Sequence, residues 1–149
     1  MNTTGTIENI LHHKGRDVWS VPPETTVFDA ITLLAEKNIG TLLVMDGDRL
    51  LGMFSERDYT RKIILKGRSS RDTRVGEVVS TPLVTVSPQH TVEECMRLMT
   101  DHRVRHLAVL EAGQVAGIVS IGDLVNWTLG AQTAAIQQMQ SYIAGGYHA

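Results

Sequence analysis

Hydrophobic and polar positions repeat along this chain with a spacing of 65 residues. Residues 18–27 align without a gap on residues 83–92, and residues 52–58 align on residues 117–123. Between these matches, the apolar stretch 42–44 falls on the apolar stretch 107–109. Because the same residue types recur at the ends and in the middle of the unit, the chain is predicted to contain two copies of one structural unit.

The first copy predicts the order strand, helix, strand, strand, helix. Residues 18–21 are short and rich in β-formers, and Thr26 precedes apolar residues at helical spacing. Residues 41–45 and 50–54 are apolar stretches on either side of a turn sequence, which predicts a hairpin. Ser55 is then predicted to cap a second helix that ends near Gly67.

The second copy repeats this plan. Thr91 begins a predicted helix, residues 107–110 and 115–119 form a hairpin around Gly113, and Ser120 caps the closing helix. The polar stretch 68–77 between the copies is typical of a linker. We therefore expect an α/β (α+β) fold in which motif 1 (10–67) and motif 2 with a C-terminal helix (78–145) form one domain.

Composition narrows the class of protein. Of 149 residues, 42% are hydrophobic and 20% are charged, as in ordinary globular proteins. The net charge of -2 offers no basic field for nucleic acid. No long apolar stretch predicts a membrane span, and no secretory signal begins the chain. A single cysteine, Cys95, favours a reducing compartment, so a cytoplasmic protein is expected.

Four short segments carry a resemblance to a known family. They are Ser55–Tyr59, Gly67–Ser70, Arg103–Leu107 and Ser120–Asp123. With the β-α-β-β-α order, they resemble the CBS motif of small stand-alone CBS-pair proteins over residues 10–145. The resemblance implies two motifs packed about a pseudo-twofold axis with two ligand clefts, and assembly as a homodimer. It implies an adenine nucleotide as ligand, with AMP favoured and ADP, ATP, NAD or S-adenosylmethionine as alternatives.

Two Ser-x-x-Asp sequences are the predicted ribose sites. The resemblance assigns Asp58 and Asp123 to the ribose hydroxyls, with Ser55 and Ser120 beside them. A carboxylate accepts strong, charge-assisted hydrogen bonds from vicinal hydroxyls. The same sequence is also a helix N-terminal cap in the absence of any ligand, and the two roles can coexist.

Basic residues are the predicted phosphate contacts. The resemblance pairs Arg105 and His106 with the cleft of Asp58, and we expect Arg57 and Arg61 to serve the cleft of Asp123. The alternative for these arginines is a solvated or ion-paired surface.

The two clefts are predicted to differ, since Gly40 and Thr41 hold the positions of Arg105 and His106 in the first copy. Thr41 is included among the nucleotide-binding residues, and Gly40 permits close approach of a ligand. Adenine needs apolar walls, for which four residues at strand edges are candidates: Ile39, Met53, Val104 and Ile118. Ordinary core packing is the alternative role for all four.

Other conspicuous residues predict no chemistry. His12 and His13 are adjacent and have no carboxylate at coordinating spacing, so no metal site is expected. Cys95 is interpreted as a small core residue. Near the C-terminus, Ile136, Met139 and Ile143 form a narrow apolar stripe that predicts a homodimer contact.

The sequence therefore predicts a regulatory module that binds an adenine nucleotide and signals energy or redox state to a partner protein in trans, with no catalytic residues and no nucleic-acid or membrane partner. One alternative is a protein interaction module with vestigial clefts. A phosphate-hydrolysing enzyme is the other, although nothing in the sequence activates a nucleophile.

Overall fold

The structure is a computed structural model that describes residues 5–79 and 83–148. In chain order its helices and strands are α1 (Ile7–Lys14), β1 (Ser20–Val21), α2 (Val27–Lys37), β2 (Thr41–Asp46), β3 (Arg49–Ser55), α3 (Glu56–Asp58), β4 (Thr85–Val86), α4 (Val92–His102), β5 (His106–Glu111), β6 (Gln114–Ser120) and α5 (Ile121–His148). A π-helical turn, Tyr59–Ile64, follows α3, and a 3₁₀ turn, Val75–Glu77, precedes β4. This order contains the β-α-β-β-α plan twice.

The chain divides into two compact units. The first unit contains residues 17–85 with residues 111–115. The second unit contains residues 86–110 and 116–149 together with the N-terminal residues up to Arg16. The sequence repeat and the structural units therefore differ at the N-terminus.

Two three-stranded sheets, with orders β1-β2-β3 and β4-β5-β6, confirm the predicted mixed fold. In the first sheet, β1 lies parallel to β2, and β2 is antiparallel to β3. The pairing of Thr41 with Ser55 places the start of β2 beside the residue that caps α3. Both predicted hairpins are therefore confirmed.

Threonine caps begin the two long internal helices, as predicted. The Thr26 Oγ1 accepts the Asp29 N–H at 3.2 Å, and the Thr91 Oγ1 accepts the Glu94 N–H at 3.0 Å. Each helix ends in a residue with left-handed backbone, Asn38 in α2 and Arg103 in α4. These caps satisfy terminal backbone groups that a helix cannot pair internally.

The core of the first unit lies between α2 and its sheet. Its buried members come from the strands, α2, the π-helical turn and the segment of the 3₁₀ turn: Val21, Val27, Ala30, Leu34, Leu42, Val44, Phe54, Ile63, Val75 and Val78. The second unit buries the corresponding residues, among them Cys95, Met99 and Leu107. Cys95 is fully buried, so its predicted role as a core residue is confirmed.

The N-terminal segment completes the second unit. The Ile7 N–H donates to the His90 carbonyl, and the Val92 N–H donates to the Gly5 carbonyl, both at 2.9 Å. Ile7 is also fully buried. Helix α1 thus belongs to the unit built from the second copy, although residues 10–14 fall within the predicted first motif.

In the first unit, residues 73–76 bind the backbone before α2 as the N-terminal segment binds the backbone before α4. Here the Val75 N–H donates to the Thr25 carbonyl, and the Val27 N–H donates to the Thr73 carbonyl, both at 2.8 Å. Thr25 and Val27 are the repeat equivalents of His90 and Val92. The stretch 68–77, predicted from its polarity to be a linker, is therefore packed and hydrogen-bonded along residues 70–77, because Val75 and Val78 supply buried side chains.

Close packing fixes α1 against β6 in the second unit. A Cβ atom placed on Gly117 would lie 2.7 Å from Leu11 Cδ2, nearer than atoms pack. Leu11 is 1% exposed. Glycine at this position therefore leaves the space that the α1 side chain fills.

Two predicted elements differ from the structure. The first strand is shorter than residues 18–21, since only Ser20 and Val21 pair with β2. The helix predicted from Ser55 to Gly67 is a short α-helix followed by the π-helical turn, in which the Leu65 N–H donates to the Thr60 carbonyl. The Thr60 hydroxyl also donates to the Glu56 carbonyl, a local bond that competes with the regular helical pattern.

Candidate functional site

In the first unit, Ser55 and Asp58 form a reciprocal capping box at the start of α3. The Ser55 N–H and hydroxyl donate to Asp58 Oδ2 at 2.9 and 3.0 Å, and Ser55 Oγ accepts the Asp58 N–H at 3.1 Å. Lys62 Nζ lies 3.4 Å from Asp58 Oδ1 and donates to the Val78 carbonyl. The carboxylate retains 14% exposure, so it is a structural cap that a ligand can still reach.

In the second unit, Ser120 and Asp123 repeat this capping box at the start of α5. The Ser120 N–H donates to Asp123 Oδ2 at 2.8 Å, and Ser120 Oγ accepts the Asp123 N–H at 3.1 Å. Lys14 of α1 donates to the same Oδ2 at 2.6 Å and to the Ile118 carbonyl at 2.9 Å. The side chain of Asp123 is 22% exposed. Each predicted ribose carboxylate therefore has a lysine that also binds a nearby carbonyl.

Charge and burial act in opposite directions on Asp123. Burial raises its pKa, but the hydrogen bond and charge of Lys14 and the hydrogen bonds from Ser120 outweigh burial, so the pKa lies below its usual value. Burial also lowers the pKa of His106. The charge of Asp123 raises this pKa, and the charges of Lys14 and Arg105 lower it, so that the pKa lies below its usual value. This corner of the second unit thus brings Asp123, Lys14 and His106 close enough for each charge to act on its neighbours.

The remaining candidates of the first unit lie near its capping box. Thr41 is buried opposite Ser55 at the start of β2, and Met53 is half-buried in β3. Ile39 is half-buried and packs against the core, and its predicted place in an apolar wall for adenine stays a prediction. Arg57 and Arg61 are exposed on α3 and the π-helical turn.

The remaining candidates of the second unit occupy equivalent places. Val104 and Ile118 are half-buried, and Arg105 is exposed beside His106 at the start of β5. The Arg105 carbonyl accepts the Ile121 N–H at 2.9 Å, which joins the start of this strand to the start of α5. The pairing of Arg105 and His106 with Asp58, and of Arg57 and Arg61 with Asp123, stays a prediction from the resemblance.

A cavity of about 600 Å³ lies between α1 and α5 within the second unit. Among the described residues its lining includes one predicted site residue, Asp123, together with Ile10, His13, Lys14, Asn126, Trp127, Gly130 and Ala131. The His13 and Trp127 rings lie 5.9 Å apart at 58°. The volume of the cavity is typical of small-molecule sites.

Sequence reasoning missed the two lysines. Lys62 follows Asp58 by four residues, a spacing at which helical ion pairs form, so a local signal existed. Lys14 is 109 residues from Asp123, and only the packing of α1 brings them together.

Two further observations bear on the kind of site. Among residues 5–79 and 83–148, no group of three or more His, Cys, Asp or Glu side chains is placed to hold a metal. Within the same residues, no helix combines the length and apolarity needed to cross a bilayer.

Comparison with known proteins matches this architecture. The family model of the CBS domain matches residues 9–65 and again residues 75–130. The chain is 38% identical over 152 residues to the CBS domain-containing protein CBSX3, mitochondrial, of Arabidopsis thaliana, covering 95% of this chain and 73% of that protein.

Solved structures of CBS-domain proteins have the same fold as this chain. A protein with CBS domains from Burkholderia ambifaria is 49% identical with a TM-score of 0.79, covering 81% of this chain and 91% of that one. A CBS domain protein from Pyrobaculum aerophilum, solved in complex with AMP, shares the fold with a TM-score of 0.71 at 24% identity, covering 80% of this chain and 89% of that one. With two family matches that together span most of its length, this chain belongs to the CBS domain family as a tandem CBS pair.

Proposed function

We propose that this CBS pair is a regulatory module that binds an adenine nucleotide, with AMP as the favoured ligand and ADP, ATP or NAD as alternatives. Asp58 and Asp123 hold the ribose hydroxyls in this proposal. Arg57, Arg61, Arg105 and His106 contact phosphate. Binding shifts the conformational balance of the pair, and a partner protein in trans responds to that shift.

The observation that carries the proposal is the repeated, partly exposed carboxylate. Both units present Asp at the same point of a capping box, and both leave it 14–22% exposed. The caps of α1 and α4 are exposed, whereas these two carboxylates are part-buried, and each has a lysine beside it. Because a carboxylate has two oxygens and about four acceptor positions, it can serve its cap and a ligand diol together.

The comparisons support the ligand class at the level of the family. The P. aerophilum protein was solved with AMP, and at 24% identity its likeness to this chain concerns the fold. The choice of AMP for this chain therefore rests on the family resemblance, while the carboxylates and basic residues of its two units suit the ribose and phosphate of any of these nucleotides.

Two further expectations remain proposals. Exposed apolar side chains continue along α5, including Leu129, Ile136 and Met139, which supports a homodimer contact on this helix; the Ile143 side chain lies outside the described side chains. The expected cytoplasmic location stays a prediction, since the similar plant protein bears a mitochondrial name.

Asparagine substitutions test the ribose role without removing the cap. In α1 the same capping box already contains asparagine, since the Thr6 N–H donates to Asn9 Oδ1 at 3.0 Å. Asp58→Asn and Asp123→Asn should therefore fold but lose charge-assisted bonds to the ligand. Loss of such bonds weakens binding roughly 10- to 100-fold. Isothermal titration calorimetry with AMP, ATP and NAD measures the effect.

Glu94→Gln is the matched control, because Glu94 occupies the same capping position in α4 and has no proposed ligand contact. It should bind nucleotide as the unaltered protein does. The proposal fails if no adenine nucleotide binds the unaltered protein, or if both asparagine variants bind as tightly as it does.

A further inference from the structure

We infer that the cavity between α1 and α5 is a binding site for the nucleoside part of a ligand, with the flat base against His13 and Trp127 and the sugar at Asp123. This inference rests on the proposed function, because it takes Asp123 as the ribose carboxylate. It adds a base-binding wall that the proposed function does not contain.

The lining divides into an aromatic wall and a polar end. His13 and Trp127 supply two rings 5.9 Å apart, and Asp123, Lys14 and Asn126 supply hydrogen-bonding groups. Aromatic walls hold flat heterocycles by stacking, which is worth about 1–3 kcal/mol for a nucleic-acid base. A flat ring joined to a hydroxyl-rich sugar matches this division.

Charge in the lining gives no net preference for an anionic ligand part. The cation and the carboxylate of the lining, Lys14 and Asp123, are bonded to each other at 2.6 Å. Their charges cancel, so the cavity offers no net attraction to a phosphate chain. The ligand part inside it is therefore the nucleoside, and any phosphate extends outside.

The first unit has no aromatic residue at the positions equivalent to Trp127 and Asn126. By the 65-residue repeat, Trp127 corresponds to Lys62 and Asn126 corresponds to Arg61. The aromatic wall inferred here therefore belongs to the second unit.

Gly130 offers a way to fill the cavity with little risk to folding. It lines the cavity, and a Cβ atom there would meet nothing within 4 Å. Because leucine favours helix more than glycine by roughly 1 kcal/mol, Gly130→Leu should preserve α5 while its side chain occupies the site. Ala134→Leu adds a side chain to an exposed position of the same helix and is the matched control.

Tryptophan fluorescence reports the site directly. The chain has two tryptophans, so Trp19→Phe leaves Trp127 as the reporter. In this background, adenosine should produce a saturable change in emission, and AMP should bind at least as tightly as adenosine at this site. Gly130→Leu should weaken adenosine binding at least tenfold, while Ala134→Leu should change it less than twofold.

The outcomes separate this inference from the proposed function. If AMP binds by calorimetry while Trp127 emission stays constant, or if Gly130→Leu binds adenosine as its background does, the cavity site is wrong and the proposed function stands. If adenosine binds at Trp127 but Asp58→Asn and Asp123→Asn leave AMP affinity unchanged, the base-binding wall stands and the sugar contact at Asp123 is wrong, together with the proposed ribose role. If neither adenosine nor AMP binds, both fail.

Discussion

Packing of Leu11 against Gly117 gives a quantitative test that α1 is an integral part of the second unit. An added methyl group in Gly117→Ala would lie 2.7 Å from Leu11 Cδ2 and must displace it. Overpacking of this kind costs about 1–3 kcal/mol of unfolding free energy. Leu11→Ala removes a side chain that is 1% exposed, which costs about 2–5 kcal/mol through lost burial and a cavity.

The double variant is the decisive measurement. With Leu11 shortened, the alanine methyl at position 117 no longer meets a close atom and fills part of the cavity. The combined loss should therefore be smaller than the sum of the single losses by roughly 1–2 kcal/mol, within the range measured for contacting residues. Urea unfolding followed by circular dichroism gives the energies, with the slope of each transition compared to detect any change of mechanism.

Gly40→Ala is the control for the substitution itself. A Cβ atom on Gly40 meets nothing within 4 Å, so this variant should stay within about 0.5 kcal/mol of the unaltered protein. The packing of α1 described above is refuted if the energies of Leu11→Ala and Gly117→Ala add to within about 0.5 kcal/mol.

Two further predictions concern ionisable groups. The lowered pKa of Asp123 contributes stability above its unfolded pKa that is lost as the pH falls through the folded value, so Lys14→Gln should raise the pKa of Asp123 and move acid unfolding to higher pH. Carboxyl NMR titration measures the shift, and an unchanged pKa would contradict the role of Lys14. Burial raises the pKa of Cys95 to about 11, so this thiol should resist Ellman's reagent at pH 8 and react fully in urea. Rapid reaction of the folded protein would show that Cys95 is accessible.

Local signals explain what the sequence predicted correctly. Thr26 and Thr91 cap helices through bonds to residues three positions away, and the hairpins follow from alternating apolar and turn residues. Ser-x-x-Asp likewise forms a capping box in both copies. Such features depend on neighbours in the chain, so their residue pattern is sufficient to predict them.

Long-range packing explains what was missed. The bond from Ile7 to His90 and the ion pair from Lys14 to Asp123 join residues far apart in sequence, and neither leaves a periodic pattern. The two segments do share one local feature: the Thr6 N–H donates to Asn9 Oδ1, and the Arg74 N–H donates to Glu77 Oε2. The cavity was also not predicted from the sequence, because α1 forms one of its sides.

Completion of the second unit by the N-terminal segment has a consequence for the order of events on the ribosome. Ile7 is synthesised 83 residues before His90, whose carbonyl it binds. At about 5–20 residues per second, this buried side chain waits roughly 4–17 s for its partner, while residues 17–85 of the first unit emerge and can fold. A fusion or truncation within residues 5–11 should therefore impair the half of the protein that is made last.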